Sequence, residues 1–96
     1  MDLVLLNIVS RAVEEYNRYN GPGAEARINR VEGARFYIEF TGGPCTGCSL
    51  YEWIEDLVYI IGRYNLVARV EYVEEGNEGS MLAVLKISPR RPGLAS

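Results

Sequence analysis

The sequence contains no histidine and no glutamine, and it has only two cysteines, one lysine and one tryptophan. Without histidine there is no Ser-His-Asp or Cys-His nucleophilic system, no imidazole ligand for zinc, and no side chain that titrates near neutral pH without perturbation. No apolar run approaches the roughly 20 residues of a membrane-spanning helix. These absences exclude the enzyme classes that depend on histidine, and they predict a protein with no membrane partner.

The net charge is −3, with 10 basic and 13 acidic residues. The basic residues are scattered apart from Arg90 and Arg91, while one acidic group gathers at Glu71, Glu74, Glu75 and Glu78. Nucleic-acid binding needs a concentrated positive surface, so the sequence predicts no nucleic-acid partner, although a fold can bring scattered basic residues to one face. Abundant arginine and glutamate with no glutamine agree with a thermophilic source.

The length of 96 residues suits one small domain. We predict a single domain over residues 1–88 and a flexible C-terminal tail over residues 89–96. The chain begins Met1-Asp2-Leu3, with an acidic residue where a secretory signal carries basic ones, and the apolar stretch that follows is too short for such a signal. The expected location is therefore the cytoplasm.

Two segments have apolar residues at three- and four-residue spacing, which predicts helices over Leu3 to Tyr19 and about Leu50 to Tyr64. The first is followed by Asn-Gly-Pro-Gly at residues 20–23, a combination suited to ending a helix. Ser49 and Glu52 match a capping box at the start of the second helix.

Alternation of apolar and polar residues predicts four strands. They run over Ala24 to Glu32, Ala34 to Thr41, Leu66 to Val73 and Met81 to Ser88. Gly33 can supply the positive φ of a tight turn, so the first two strands should form an antiparallel hairpin.

The resulting order, α-β-β-α-β-β, predicts an α+β fold with a mixed four-stranded sheet and two helices on one face. The strand–helix–strand unit should leave the second and third strands parallel. We expect the first strand to lie between them and the fourth to extend the sheet beside the third.

Two uses stay open for the tyrosines, namely packing at the edge of the core and stacking on a ligand. Packing is expected for Tyr16, Tyr59 and Tyr72, with their hydroxyls in water. Alternation in the third strand places Tyr72 on the same face as Val70.

Cys45 and Cys48 form a Cys-Thr-Gly-Cys pair between the predicted second strand and second helix. Backbone N–H groups and the dipole at a helix start favour negative charge. A thiolate there is stabilised, and its pKa falls toward the reactive range. Four interpretations stay open: cluster ligation, a redox dithiol, a structural disulfide or intersubunit zinc site, and reduced cysteines without chemistry.

The segment Gly-Pro-Cys-Thr-Gly-Cys at residues 43–48, after a strand and before a helix, resembles the C-terminal domain of the NifU family of iron–sulfur cluster proteins. The family order of helix, strand, strand, CxxC, helix and strand is matched over about Leu3 to Val73. The glycine-rich connection at residues 20–23 and the hairpin turn at Gly33 are similar to those of the family.

The resemblance implies a scaffold or carrier, and not an enzyme. It would hold a four-iron, four-sulfur cluster between the subunits of a homodimer and pass the cluster to recipient apo iron–sulfur proteins. By motif match, Cys45 and Cys48 would be the metal ligands, and Gly43 and Gly47 would allow close approach to the cluster. A cluster takes four thiolates, one chain has two, and a two-fold axis supplies the rest.

Two alternatives to the carrier remain open. One is a thiol–disulfide redox protein that uses the same two cysteines. The other is a non-catalytic interaction module of NifU-like fold whose last strand pairs with a partner.

Overall fold

The structure is a computed structural model that describes residues 3–20, 25–41, 50–75 and 80–89. The elements are α1 (Leu3–Asn20), β1 (Glu25–Glu32), β2 (Arg35–Thr41), α2 (Leu50–Gly62), β3 (Leu66–Glu75) and β4 (Met81–Pro89). This confirms the α+β class and the order α-β-β-α-β-β. Strand β4 takes in Pro89, the first residue of the expected tail, and residues 90–96 lie outside the described part of the chain.

The four strands form one antiparallel sheet in the order β1-β2-β4-β3. The predicted mixed sheet, with β1 between β2 and β3, is therefore wrong. Strands β2 and β3 do run in the same direction, but β4 lies between them and pairs antiparallel with both. Strands β1 and β3 are the two edges.

The composition of β4 explains its central place. Ala83, Leu85 and Ile87 are fully buried on the core face, and Val84 is fully buried on the opposite face. The exposed Arg27 and its polar neighbours suit β1 to an edge, where charged side chains discourage further pairing. Because β4 is paired along both sides, the hypothesis that the last strand pairs with a partner is also wrong.

One core cluster joins buried residues of both helices to the sheet. Strand β2 contributes Phe36, Ile38 and Phe40, which alternate with half-buried or exposed residues. Fully buried members from other elements include Val9, Ala12 and Tyr16 of α1, Leu57 and Ile61 of α2, and Leu85 and Ile87 of β4. This arrangement is consistent with the prediction that both helices lie on one face of the sheet. None of the described helices is both long and apolar enough to cross a membrane.

Strand β1 contains a β-bulge. Its pairing with β2 steps from Ile28 opposite Ile38 to Arg30 opposite Tyr37, which leaves Asn29 as an extra residue. An extra residue shifts the alternation of side chains by one. Arg30 therefore shares a face with Tyr37, and not with Ile28.

Strand β3 contains a second bulge. Its pairing with β4 steps from Val70 opposite Leu85 to Tyr72 opposite Val84, with Glu71 as the extra residue. Tyr72 is therefore on the opposite face from Val70, and the predicted alternation is wrong beyond this point.

Two residues with positive φ reverse the chain. Gly33, at φ 61°, lies in the turn between β1 and β2, which confirms its predicted role. Asn65, at φ 64°, completes the turn between α2 and β3. That turn is why α2 ends at Gly62 and not at Tyr64, since the Arg63 N–H donates to the Ile60 carbonyl oxygen at 3.0 Å in a tighter geometry.

The three tyrosines predicted to pack at the edge of the core lie in different environments. Tyr16 is fully buried, whereas Tyr59 is 71% exposed and Tyr72 is 46% exposed. The core-edge prediction is wrong for all three, because Tyr16 lies inside the core and the other two present their rings to solvent.

Candidate thiolate site

The predicted ligands Cys45 and Cys48, with Gly43 and Gly47, lie outside the described residues. The structure defines the two ends of the connection that holds them. Strand β2 ends at Thr41, and helix α2 begins at Leu50, so Cys48 precedes the first helical residue by two positions.

The strand ends around this connection belong to one end of the sheet. Thr41 at the end of β2 pairs with Glu25 at the start of β1. Phe40 pairs with Met81 at the start of β4, and Met81 also pairs with Glu75 at the end of β3. The connections 21–24, 42–49 and 76–79 are therefore attached to the same end of the sheet.

Asn17 fixes helix α1 to this end of the sheet. Its amide nitrogen donates to the Ala26 carbonyl oxygen at 2.9 Å, and the Ala26 N–H donates to Asn17 Oδ1 at 2.7 Å. The side chain thus satisfies both backbone groups of one residue in the edge strand β1. Asn17 was missed in the sequence because an asparagine near a helix end gives no sign of a partner nine residues away.

A buried aromatic pair lies beneath the end of β2. The rings of Tyr16 and Phe40 meet edge to face, with centroids 5.9 Å apart and an interplanar angle of 88°. Burial, and then the charge of Asp56 on α2, raise the pKa of Tyr16 well above its usual range. Tyr16 therefore stays neutral, and it helps to hold both helices and β2 in place next to the connection.

The start of α2 gives the site its electrostatic character. Exposed N–H groups at a helix start carry partial positive charge, which favours a thiolate placed directly before them. Glu52 lies in the first turn of this 13-residue helix and is exposed. The other half of the predicted capping box, Ser49, lies outside the described residues.

Ser80 is a buried polar residue at the same end of the sheet. It is 3% exposed, it directly precedes β4, and its hydroxyl makes no hydrogen bond with any described residue. A buried hydroxyl without a partner costs stability. A lone serine before an apolar run gave no signal of this in the sequence.

Within the described ranges, no group of three or more histidine, cysteine or carboxylate side chains is placed to hold a metal ion. No family model matches the chain, and no curated protein or solved structure matches it either.

Proposed function

We propose that this protein is a scaffold or carrier for an iron–sulfur cluster, with Cys45 and Cys48 as its thiolate ligands. The observation that carries the proposal is the position of the pair. Two thiols three residues apart lie in the connection 42–49, between the end of β2 at Thr41 and the start of α2 at Leu50.

The donor set implies a second copy of the chain. A four-iron, four-sulfur cluster takes four thiolates, and each chain contains two. A two-fold axis beside the connection would bring together four equivalent cysteines. Gly43 and Gly47 carry no side chain that would hinder approach to the cluster, and their N–H groups can donate to its sulfides.

The cluster is the cargo of such a protein. Release would proceed by ligand exchange, in which thiolates of a recipient apo iron–sulfur protein replace Cys45 and Cys48. The expected compartment is the cytoplasm, where thiols stay reduced and available to metals.

The test uses Cys45→Ser and Cys48→Ser as separate variants, with Thr46→Ala as a matched control that leaves both thiols in the same connection. After anaerobic incubation with iron and sulfide, the wild type and Thr46→Ala should acquire a cluster and transfer it to an apo-ferredoxin. Each cysteine variant should fail to do so while keeping the far-ultraviolet circular dichroism of the folded protein.

Retention of a stable cluster by both cysteine variants would contradict the proposal. A wild type that takes up no iron but shows a reversible dithiol–disulfide couple would instead favour the redox alternative, which predicts a monomer with unequal cysteine acidities.

A further inference from the structure

The second face of the sheet carries charged and aromatic side chains. We call it the outer face and define it by Arg35 and Tyr37 of β2, Val84 and Lys86 of β4, and Arg69 and Tyr72 of β3. The register places them together, because Arg35 pairs with Lys86, Lys86 with Arg69, and Tyr37 with Val84. These positions alternate with the core residues Phe36 and Leu85.

Both β-bulges direct a side chain onto this face. The bulge at Asn29 puts Arg30 opposite Tyr37, and the bulge at Glu71 puts Tyr72 opposite Val84. Without the extra residues, Arg30 and Tyr72 would lie on the core face. Bulges that re-aim side chains are over-represented next to functional sites.

The aromatic part of the outer face is a layered platform. The guanidinium carbon of Arg30 lies 4.2 Å from the centre of the Tyr37 ring. Tyr37 and Tyr72 flank Val84 in register, and Val84 is fully buried although it lies outside the core cluster. Tyr72 is 46% exposed, so a flat ligand can stack on it and on the Arg30 plane.

A row of cations lies next to this platform. Arg35, Lys86 and Arg69 are directly opposite one another on three adjacent strands. Arg35 is compensated by Glu71, with Nε and Oε1 2.6 Å apart. Lys86 and Arg69 form no salt bridge within the described part of the chain. Like charges directly opposite in a sheet are destabilising, so this pair is suited to an anion from outside the fold.

A shallow depression lies at Lys86 and Arg69. Its volume is about 180 Å³, and Val67, Arg69, Lys86 and Ser88 line it. Pockets that enclose a whole small molecule are larger, at roughly 300–1,000 Å³. The depression therefore suits one anionic group of a larger ligand.

We propose that the outer face binds single-stranded nucleic acid, with backbone phosphates at Lys86 and Arg69 and bases stacked on Tyr72 and on the Arg30–Tyr37 layer. Adjacent cations and exposed aromatic rings are the two elements that such recognition combines. An acidic peptide would use the cations but would leave the aromatic layer without a role.

Composition alone predicted no nucleic-acid partner, but the fold gathers scattered basic residues on one face. Five of the chain's 10 basic residues lie on this one face, since Arg27 and Arg30 join Arg35, Arg69 and Lys86. Two of the carboxylates on this face are engaged, because Glu71 binds Arg35 and Glu32 binds Arg30 at 3.3 Å. Glu39 and Glu74 lie on the other side of the tyrosine layer, where both pair with Leu82. A net charge of −3 therefore conceals a local basic row.

The test is fluorescence anisotropy with a labelled oligothymidylate of about ten nucleotides, at salt concentrations from about 50 mM to about 200 mM. Lys86→Gln and Arg69→Gln should each weaken binding and reduce the slope of log K against log salt by about 0.7. Tyr72→Ala should weaken binding about tenfold with the salt slope unchanged. Circular dichroism confirms that each variant is folded.

Arg11→Gln is the matched control, because it removes an exposed arginine from α1. It should leave both affinity and salt slope unchanged. The proposal is overturned by the absence of binding at the lowest salt, by an equal loss in Arg11→Gln, or by preferential binding of polyglutamate, which would favour an acidic protein partner. The double variant Cys45→Ser, Cys48→Ser should bind the oligonucleotide like the wild type, so this test is independent of the proposed cluster.

Discussion

The side chain of Asn17 completes the edge of the sheet at Ala26, by accepting from its N–H at 2.7 Å and donating to its carbonyl oxygen at 2.9 Å. The two hydrogen bonds join the last turns of α1 to the first residues of β1. They lie at the end of the sheet from which the cysteine-containing connection leaves, so Asn17 helps to position that connection.

Replacing Asn17 with alanine leaves the N–H and the carbonyl oxygen of Ala26 without these partly buried hydrogen bonds. We expect a loss of about 1–3 kcal/mol in the free energy of unfolding, measured by urea denaturation. Asn17→Asp keeps the acceptor for the Ala26 N–H but sets a carboxylate oxygen against the Ala26 carbonyl oxygen, so it should also lose stability. Asn7→Ala, at an exposed position of the same helix, should change stability by less than about 0.5 kcal/mol. Equal effects at positions 7 and 17 would contradict this role.

Tyr16 should make the protein sensitive to alkaline pH. Burial raises its pKa in the folded state, and Asp56 raises it further. In the unfolded chain Tyr16 ionises near pH 10, so the folded state then holds a proton that the unfolded state has lost. Stability should be fully present below about pH 10 and should fall above it, by at most about 1.4 kcal/mol per pH unit from this residue.

Urea denaturation between about pH 9 and about pH 11 tests the role of Tyr16. Tyr16→Phe should lose less stability over this range than the wild type, even if it is less stable at neutral pH. Tyr19→Phe removes the hydroxyl of a residue that is 82% exposed and serves as the control. Parallel pH dependence in the wild type and Tyr16→Phe would be the contrary result.

Glu15 joins α1 to the turn after α2 through two contacts. It accepts a hydrogen bond from the Tyr64 hydroxyl at 2.8 Å, and its Oε2 lies 3.0 Å from Nη1 of Arg63. Tyr64→Phe should cost about 0.5–1.5 kcal/mol. Arg63→Ala should cost about 0.2–1 kcal/mol, because the arginine is 55% exposed and water screens the pair. Added salt should weaken only the ion pair between Arg63 and Glu15. A larger loss of stability for Arg63→Ala than for Tyr64→Phe would contradict this prediction.

Asn65 should tolerate glycine and reject β-branched residues. Its φ of 64° lies in the left-handed region, where asparagine and glycine are favoured over other residues. Asn65→Gly should therefore change the free energy of unfolding little, whereas Asn65→Val should cost about 1–2 kcal/mol. Thermal unfolding of the two variants side by side checks this, and equal melting temperatures would argue against the strained turn.

The helices and the first hairpin were predictable from local patterns. The buried stripe Val9, Val13 and Tyr16 follows the helical period, and Gly33 has the positive φ that its hairpin turn required. Strand order was not predictable in this way. It depends on β4, in which Ala83, Val84, Leu85 and Ile87 are buried, and the preference for a parallel crossover pointed instead to β1 as the central strand.

The two bulges set a further limit on the sequence-based prediction. Asn29 and Glu71 are polar residues that fit the alternation up to each bulge. In β1 the alternation then fails, since it would put Arg30 on the core face and Val31 on the outer face, but this break does not say which residue is the extra one. In β3 the apolar ring of Tyr72 fits the core face, so only the pairing with β4 reveals its change of face. The outer face is therefore a product of register, whereas the cysteine pair was visible directly from its spacing.

Iron content and visible absorption, measured after anaerobic reconstitution with iron and sulfide, decide whether Cys45 and Cys48 hold a cluster. We expect a broad charge-transfer band and about four irons per dimer, both absent from the double variant Cys45→Ser, Cys48→Ser. A colourless wild-type protein, or a band that persists in the double variant, would contradict the assignment of Cys45 and Cys48 as cluster ligands.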